Sequence, residues 1–467
     1  MQADLSKKDE QFREFSLNGP MWRVVLYVGF PLALYESLNQ LFKILDTMMA
    51  SHIGASAVSA VAYLSQINMM ISAVGTGLAV GASIKVSQAY GAGDFMLVKK
   101  RVSTMFAMCG ALGIAILLVL VPFTPEFLRL MNTPEEFIAD GSTYFRLELF
   151  GMVITFFNNV YIAIERARGN SKRILILNTA VIVVKLGLTA WFVYGLDGGI
   201  NMISCATIIS QSFLLLAACI NMNQKGNAFG FSLRAISIKK EVICPMLTLS
   251  FPVIVERIAF AVGKVIVNSM STVYGSWTVG ALGISNNIGG ITTNPQNGFQ
   301  EGGSSIISQN LGAGRPKRAL LAFRWVLYID MFIGLVIMTA SLLCLNQLAG
   351  LFAGDNTEFA EMIKQIYRFE AVGAIPLGVN AAVMALLYGF GKTRVTLVMN
   401  FCRVFLFRVP VLWALQQFTD LGNVSAGIVM AVSNVASGVL AVVMGIIEIR
   451  RICNTYDVRY FGGEQKN

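Results

Sequence analysis

One predicted helix near the amino terminus places several polar side chains on a single face. They are Glu36, Asn39, Gln40, Lys43, Asp46 and Thr47. At about 100° per residue these positions fall within an arc of roughly 120° on an α-helix. Carboxylate and ammonium groups so arranged can bind a proton or a cation, pair with each other, or attract a charged solute. A helix with such a face cannot turn it toward lipid, because intramembrane charges are expensive there.

A second predicted helix repeats this design in the other half of the chain. Arg257, Lys264, Asn268 and Ser271 share one face, and Glu256 lies at its flank. These faces could line a water-filled cleft, or they could form internal ion pairs that merely hold helices together. The cleft is the better interpretation, because six polar residues on one helix exceed what pairing needs.

Lys43 and Lys264 occupy equivalent positions, 221 residues apart. Two ammonium groups at one depth, together with Arg257, would raise the local positive potential and favour an anionic or zwitterionic solute. The alternative is that each lysine neutralises a nearby acid such as Asp46, Glu36 or Glu301. Both interpretations stay open at the level of sequence.

The equivalence of these lysines is part of a duplication that runs through the chain. The segment 87–93 returns as 308–314, an offset of 221, and Arg146 and Glu148 return as Arg368 and Glu370, an offset of 222. Matching positions hold this register over more than 160 residues. Internal duplication in a hydrophobic chain is typical of secondary transporters, whose site lies between the halves near the middle of the bilayer.

Composition indicates that lipid surrounds this chain. Its mean hydropathy is +0.65 and only 13% of its residues are charged, which a water-soluble domain of this length would not show. Twelve apolar runs are long enough to cross a bilayer. They lie at about 22–50, 57–88, 103–123, 142–164, 174–195, 199–221, 244–273, 278–309, 323–345, 361–389, 395–416 and 424–449.

The distribution of lysine and arginine predicts the orientation of these spans. Twenty-five of them lie in the termini and alternate loops, whereas the intervening loops hold one, Arg129. By the positive-inside rule both termini are cytoplasmic in a multi-pass protein of the cell membrane. The net charge of +10 is therefore a topology signal and does not call for a nucleic-acid partner. The polar start of the chain has no cleavage site, so we expect no signal peptide.

The same pattern predicts the domain limits. A cytoplasmic segment (1–21) precedes a first six-helix lobe (22–221), and a polar linker (222–243) leads to a second lobe (244–450) and a cytoplasmic tail (451–467). An even number of spans in each repeat gives both halves the same direction through the membrane, with the axis relating them along the membrane normal.

Several functional classes are disfavoured. One histidine, short loops and the lack of a Ser-His, metal or D-x-D pattern argue against an enzyme, and the lack of a nucleotide-binding motif argues against direct use of ATP. Seven scattered cysteines without a C-x-x-C spacing are expected to be reduced packing residues. We expect no cofactor and no bound metal, other than a possible sodium ion at a coupling site.

Three sets of motifs resemble those of a known family. Leu45 to Ala50 resembles an aspartate motif, 88–93 and 309–314 resemble two span ends, and 168–172 and 388–393 resemble two turns. The chain looks like a multidrug and toxic compound extrusion (MATE) transporter over nearly its whole length. That resemblance implies an all-α membrane fold of two six-helix lobes around a V-shaped cleft, and export of small organic molecules driven by an inward proton or sodium gradient.

The resemblance also implies a cation site. Asp46 matches the family's first-span acid, and Asn158, Asn178 and Thr207 fall where its first lobe has polar partners. Ile182 and Phe260 stand where the family often has further acids, so proton coupling is favoured over a sodium cage. The remaining polar residues, Glu36, Asn39, Gln40, Lys43, Arg257, Lys264, Asn268, Glu256 and Glu301, are expected to line the cleft.

One rival function and the oligomeric state complete the expectations. An exporter or flippase of an anionic or lipid-linked substrate, built on a related architecture, would also suit a basic cleft. The intramembrane lysines put the family's usual cationic cargo in question. We expect a monomer whose partners are a small-molecule substrate and membrane lipids.

Overall fold

Helices make up nearly all of the structure, a computed structural model that describes residues 5–50, 55–130, 135–224, 227–354 and 356–458. The first half contains α1 (Lys7–Asn18), α2 (Met21–Ala50), α3 (Ala55–Ala92), α4 (Phe95–Leu120), α5 (Thr124–Leu130), α6 (Glu135–Ala167), α7 (Ser171–Ala190) and α8 (Ile200–Met222). The second half contains α9 (Lys240–Ser271), α10 (Ser276–Gly312), α11 (Pro316–Leu343), α12 (Leu345–Ala353), α13 (Thr357–Ala371), α14 (Ala374–Gly389), α15 (Thr393–Phe401), α16 (Val409–Phe418) and α17 (Val424–Tyr456). Short π-helical segments follow α7 (Trp191–Gly195) and join α15 to α16 (Cys402–Leu406).

The all-α membrane fold predicted from sequence is confirmed. Within the described residues, nine helical stretches are long and apolar enough to cross a bilayer, and the pair α13 and α14, bent by 48° at a short break, makes a tenth. The other two long helices are α2 and α10, and both carry many polar side chains. That these two also cross, giving twelve spans, stays a prediction.

Large apolar side chains cover the outer faces of the helices. Leu118, Ile220 and Phe332 are each at least 66% exposed in the isolated chain. Apolar patches of this kind have no partner within the fold, and a lipid bilayer supplies one. Backbone groups are meanwhile satisfied inside each helix, which is the condition for crossing hydrocarbon.

Four helix ends show the duplication at atomic level. One or two residues beyond the ends of α3, α10, α6 and α14 lie Gly93, Gly314, Gly169 and Gly391, all with φ between +71° and +81°. In each case the glycine N–H and the next residue's N–H donate to carbonyls three and five positions back, as in Asp94 to Ala89 (3.1 Å) and Arg315 to Asn310 (2.8 Å). This is the glycine-dependent helix ending that only a residue without Cβ adopts at little cost.

The helices form two compact units. Unit 1 comprises Met1–Glu10, Leu38–Ala89 and Asp94–Ala261, and unit 2 comprises Gln11–Ser37, Tyr90–Gly93 and Val262–Asn467. In unit 1, α6 packs on α8 and α4. In unit 2, α10, α11 and α14 pack against one another, and α14 also packs on α17.

The segment between α8 and α9 is anchored to α4 inside unit 1. The backbone N–H of Ser232 donates to Ser103 Oγ (3.1 Å), and that of Ser237 donates to Thr104 Oγ1 (3.1 Å). The ring of Phe231 lies edge-on to Phe106. The two hydroxyl side chains therefore hold the connecting segment by its backbone.

Glycines allow close helix packing in unit 2. A Cβ added at Gly298 on α10 would lie 2.5 Å from Ala33 Cα on α2, which no real pair of carbon atoms tolerates. Gly283, on the same helix, has nothing within 4 Å of the equivalent position. Only the first of these glycines is required by packing.

We therefore predict that Gly298→Ala destabilises the protein by about 1–3 kcal/mol, because the helices must separate to admit the methyl group. Gly283→Ala is the matched control and should be neutral or slightly stabilising, since alanine favours a helix. Thermal unfolding of the two purified variants in detergent measures the difference. Equal midpoints for both would show that the contact at Gly298 does not limit stability.

Candidate functional site

The polar stripe of the first predicted span lies on α2. Glu36 and Gln40 are partly buried and take part in polar interactions, and Asn39 is exposed. The backbones of Lys43 and Asp46 are helical, but their side chains lie outside the described part of the structure. Whether these two side chains pair is therefore not tested.

Two of the residues expected at the cation site, Asn158 and Thr207, lie on the facing helices α6 and α8 of unit 1. Asn158, on α6 and 1% exposed, donates through Nδ2 to the backbone carbonyl (2.9 Å) and to the side-chain Oε1 (2.7 Å) of Gln211 on α8. Thr207 stands one turn before Gln211 and donates to the carbonyl of Ile203. Within the described residues, Oδ1 of Asn158 is buried and accepts no hydrogen bond.

Asn178 is placed differently. It is buried on α7, and its Nδ2 donates to the carbonyl of Ile174 on the same helix (2.8 Å). Its described hydrogen bond is thus local, and no contact described for it joins it to Asn158 or Thr207. The structure joins Asn158 to Gln211, which was not predicted from sequence, and Thr207 lies one turn from Gln211 along α8.

The second polar face is carried by α9. Glu256 (5% exposed) and the partly buried Arg257 lie in the part of α9 that belongs to unit 1. Lys264 is exposed and Asn268 partly buried, and both lie in the part that belongs to unit 2. The basic residue Arg257 thus belongs to unit 1 and the basic residue Lys264 to unit 2, although both lie on α9.

Glu301 lies on α10 in unit 2. It is partly buried and takes part in a polar interaction. In sequence it is the acid considered as a neutralising partner for Lys264. The charge of Lys264 also lies close to another acid of unit 2, Glu370.

A further acid in unit 1 was not predicted from sequence. Glu148 on α6 accepts hydrogen bonds from Ser204 Oγ on α8 (2.7 Å) and from Asn68 Nδ2 on α3 (3.3 Å). Donors from two other helices thus hold this carboxylate, and the cluster ties α3, α6 and α8 together within unit 1.

Its repeat equivalent, Glu370 on α13, sits in a charged network of unit 2. Ser285 Oγ on α10 donates to one carboxylate oxygen, and the charges of Arg408 and Arg403 are close by. Arg408, 4% exposed, donates through Nε to Ser433 Oγ (3.1 Å) on α17, and Arg403 donates to Asn434 Oδ1 (3.1 Å).

The signal that could have found this network is the duplication itself. Glu148 and Glu370 are ionisable, lie inside predicted spans, and recur at the repeat offset of 222. The partners in the network were not predictable, because they come from segments separated by 25 to 85 positions.

Among the described residues, no group of three or more histidine, cysteine, aspartate or glutamate side chains is arranged to hold a metal ion. The clusters around Asn158 and Glu148 consist of amides, hydroxyls and one carboxylate, and the network around Glu370 adds two arginines. Such groups can bind a proton, a weakly held monovalent cation or a polar solute.

Comparison with known proteins was made against families, individual proteins and solved structures. A single family model, MatE, matches the chain twice, at residues 31–191 and 252–414. The two matches start 221 positions apart, the same spacing as the internal duplication. Together they cover more than half of the chain.

Two bacterial relatives align over most of their length. "Probable multidrug resistance protein YoeA" of Bacillus subtilis (strain 168) is 24% identical over 409 residues, covering 86% of this chain and 88% of the relative. "Multidrug export protein MepA" of Staphylococcus aureus (strain NCTC 8325 / PS 47) is 22% identical over 446 residues, covering 93% and 96%.

Solved structures share the fold. An outward-facing multidrug resistance MATE family transporter of the MOP superfamily superposes with a TM-score of 0.89 at 20% identity, covering 96% of this chain and 99% of the other. A MOP superfamily transporter from Pyrococcus furiosus, described by its reversed binding-pocket polarity, gives the same TM-score, identity and coverage.

The helical membrane architecture, the duplicated register and the twofold family match agree, and they confirm the resemblance drawn from the motifs. Proteins of this kind move solutes and are not enzymes. The chain is a multi-pass membrane protein that belongs to the MatE (MATE) family of transporters.

Proposed function

We propose that this protein is a secondary active exporter of small organic molecules, coupled to an inward proton or sodium gradient. The observation that carries the proposal is the twofold match of the MatE model across a duplicated helical chain. Both relatives described above are named for multidrug resistance or export, which supports organic cargo.

Transport would proceed by alternating access between two six-helix lobes, residues 22–221 and 244–450, joined by the segment 222–243. Cargo and coupling ion must bind the two conformations differently, because only differential binding can shift such an equilibrium. Both termini would be cytoplasmic, as the lysine and arginine distribution predicts. The protein would act as a monomer in the cell membrane.

The coupling site would be formed by Asp46, Asn158, Asn178 and Thr207. The unpartnered Oδ1 of buried Asn158 supports this assignment, because a buried acceptor without a donor is costly unless a proton donor or cation reaches it. A proton suits a set with one matched carboxylate better than sodium does. Sodium would require several further oxygen ligands.

The cargo would be anionic or zwitterionic. Lys264 is exposed and Arg257 only partly buried, so both can raise the positive potential around a solute. We infer that Lys43 adds to this potential from α2, and that Glu36, Asn39, Gln40, Glu256, Asn268 and Glu301 supply hydrogen bonds. The basic residues also favour a second candidate function, the export or flipping of an anionic lipid-linked substrate.

The coupling proposal is tested by efflux from liposomes under a pH gradient or a sodium gradient imposed separately. We predict that the proton gradient drives transport and that Asp46→Asn abolishes the gradient-dependent part, because the amide cannot bind and release a proton. Asp420→Asn, an exposed acid outside the described helices, is the matched control and should transport normally.

Two results would count against the proposal. Gradient-driven transport by Asp46→Asn at the wild-type rate would remove Asp46 from the coupling site. Sodium-driven transport that ignores the pH gradient would reverse the assigned ion while leaving the exporter function in place.

The cargo proposal is tested with the double variant Lys43→Ala, Lys264→Ala. We predict that it transports anionic compounds less well relative to matched cationic ones, by roughly tenfold if each charge contributes about 0.7 kcal/mol, since 1.4 kcal/mol corresponds to a factor of ten. The control is Lys100→Ala with Lys317→Ala, two exposed lysines at helix starts. An unchanged preference in the first double variant would reject the electrostatic role, and bound acyl-chain cargo would favour the lipid-linked alternative.

A further inference from the structure

A fully buried acid lies in the middle of one span of unit 2. Asp330 is 0% exposed and is the fifteenth residue of α11, which runs from Pro316 to Leu343. It shares the buried stripe of that helix with Val326 and Gly334. In the described part of the chain, neither Oδ1 nor Oδ2 of Asp330 has a hydrogen-bond partner.

A second unsatisfied oxygen lies beside it. Gln296 on α10 is 1% exposed, and its Nε2 donates to the backbone carbonyls of Asp330 (3.0 Å) and of Ala374 (3.0 Å). With the amide nitrogen committed to two carbonyls, Oε1 is the remaining polar atom of the side chain. It too accepts no hydrogen bond from the described residues.

The helices packed on α11 bring no charge into contact with this acid. The ionisable residues of these elements include Glu301 on α10, Tyr367, Arg368 and Glu370 on α13, and Tyr388 on α14, and α11 itself carries Arg324 and Tyr328. Tyr367 donates to Ser341, and Glu370 accepts from Ser285. No hydrogen bond or ion pair among the described residues joins any of these groups to Asp330.

The first half of the chain has no carboxyl or amide side chain at the equivalent positions. At the repeat offset, Asp330 and Gln296 correspond to Cys109 and Gly75, and Gly334 corresponds to the identical Gly113. Cys109 is a fully buried thiol on α4. The fold therefore does not need a carboxyl group at this position.

The large and the small residue next to this position change places between the two repeats. In unit 1 the ring of Phe156 lies over Gly75, where an added Cβ would be 2.5 Å from the ring. In unit 2 the large residue is Gln296 and the small one is Gly378, the equivalent of Phe156, whose Cβ would be 2.7 Å from Gln296 Nε2. In each unit one large and one small residue thus pack together at these two positions. The large residue is apolar in unit 1 and polar in unit 2.

We propose that Asp330, with Gln296 beside it, is a proton-binding site of unit 2, separate from the coupling site proposed for unit 1. An ionised carboxylate at this position would be buried without a partner, whereas the neutral acid is tolerated in such surroundings. The reaction is the addition of one proton to a carboxylate oxygen, and its reversal when the surroundings open to water. The exchange of this proton during transport rests on the proposed function, but its presence does not.

Infrared difference spectroscopy of the full-length protein in liposomes tests the presence of the proton. The neutral carboxyl group has a C=O stretching band that shifts in D₂O. At neutral pH we expect wild type to show this band and Asp330→Asn to lack its share. The control Asp420→Asn, at an exposed position, should leave the band unchanged. A band of equal area in wild type and Asp330→Asn would overturn the proposal.

Asp330→Cys, which copies the residue of the first repeat, is the second variant in case the asparagine variant folds poorly. It should fold and lose the same band. A transport experiment then measures the number of protons moved per cargo molecule in wild type and in both variants. We expect this number to fall by one in either variant. An unchanged ratio would overturn the exchange of the proton, and a wild type without gradient-driven transport would refute the proposed function while the infrared result stands.

Discussion

A polar atom held away from water must find its partner within the protein, and the rest of this structure depends on that constraint. Backbone groups meet it inside helices, and the turns at Gly93, Gly314, Gly169 and Gly391 extend it to the helix ends. Side chains meet it by reaching between helices. The side chains that reach between helices therefore decide which helices lie together within each unit.

The two repeat-related acids both accept hydrogen bonds from other helices. Glu148 accepts from a serine and an asparagine. Glu370 also accepts from a serine, and it lies near two arginines of the segment that joins α15 to α16. Duplication therefore kept an acid at both positions, and in each unit that acid links its own helix to a neighbouring one.

The features that could be predicted from the sequence are those that depend on the order of residues along the chain. Hydropathy and the repeat offset predicted the helices and the all-α membrane fold, and short motifs indicated the family, because these signals need no knowledge of contacts across the fold. The polar faces of α2 and α9 were predictable for the same reason. The roles of Gln211, Ser285 and Arg408 were not predictable, because their partners lie on helices that are distant in sequence. The assignment of Asp46, Lys43 and the remaining site residues stays a prediction.

The break between α13 and α14 has a local cause that the first half lacks. Pro376 carries no N–H and so cannot donate to the carbonyl of Val372, which leaves Val372 and Gly373 outside both helices. Ile154 stands at the equivalent position of α6, and that helix runs unbroken for 33 residues. Pro376 thus distinguishes this position of the second half from the first, although α9 contains Pro245 and Pro252 without a break.

This joint changes what each unit can do mechanically. A continuous rod such as α6 transmits a push along its axis, whereas two rods meeting at 48° turn the same push into a swing about the joint. Both arms of the joint are packed within unit 2, α14 on α10, α11 and α17, and α13 on α10, α12 and α17. A swing about the joint would therefore carry these neighbours with it, whereas α6 has no joint at which to bend.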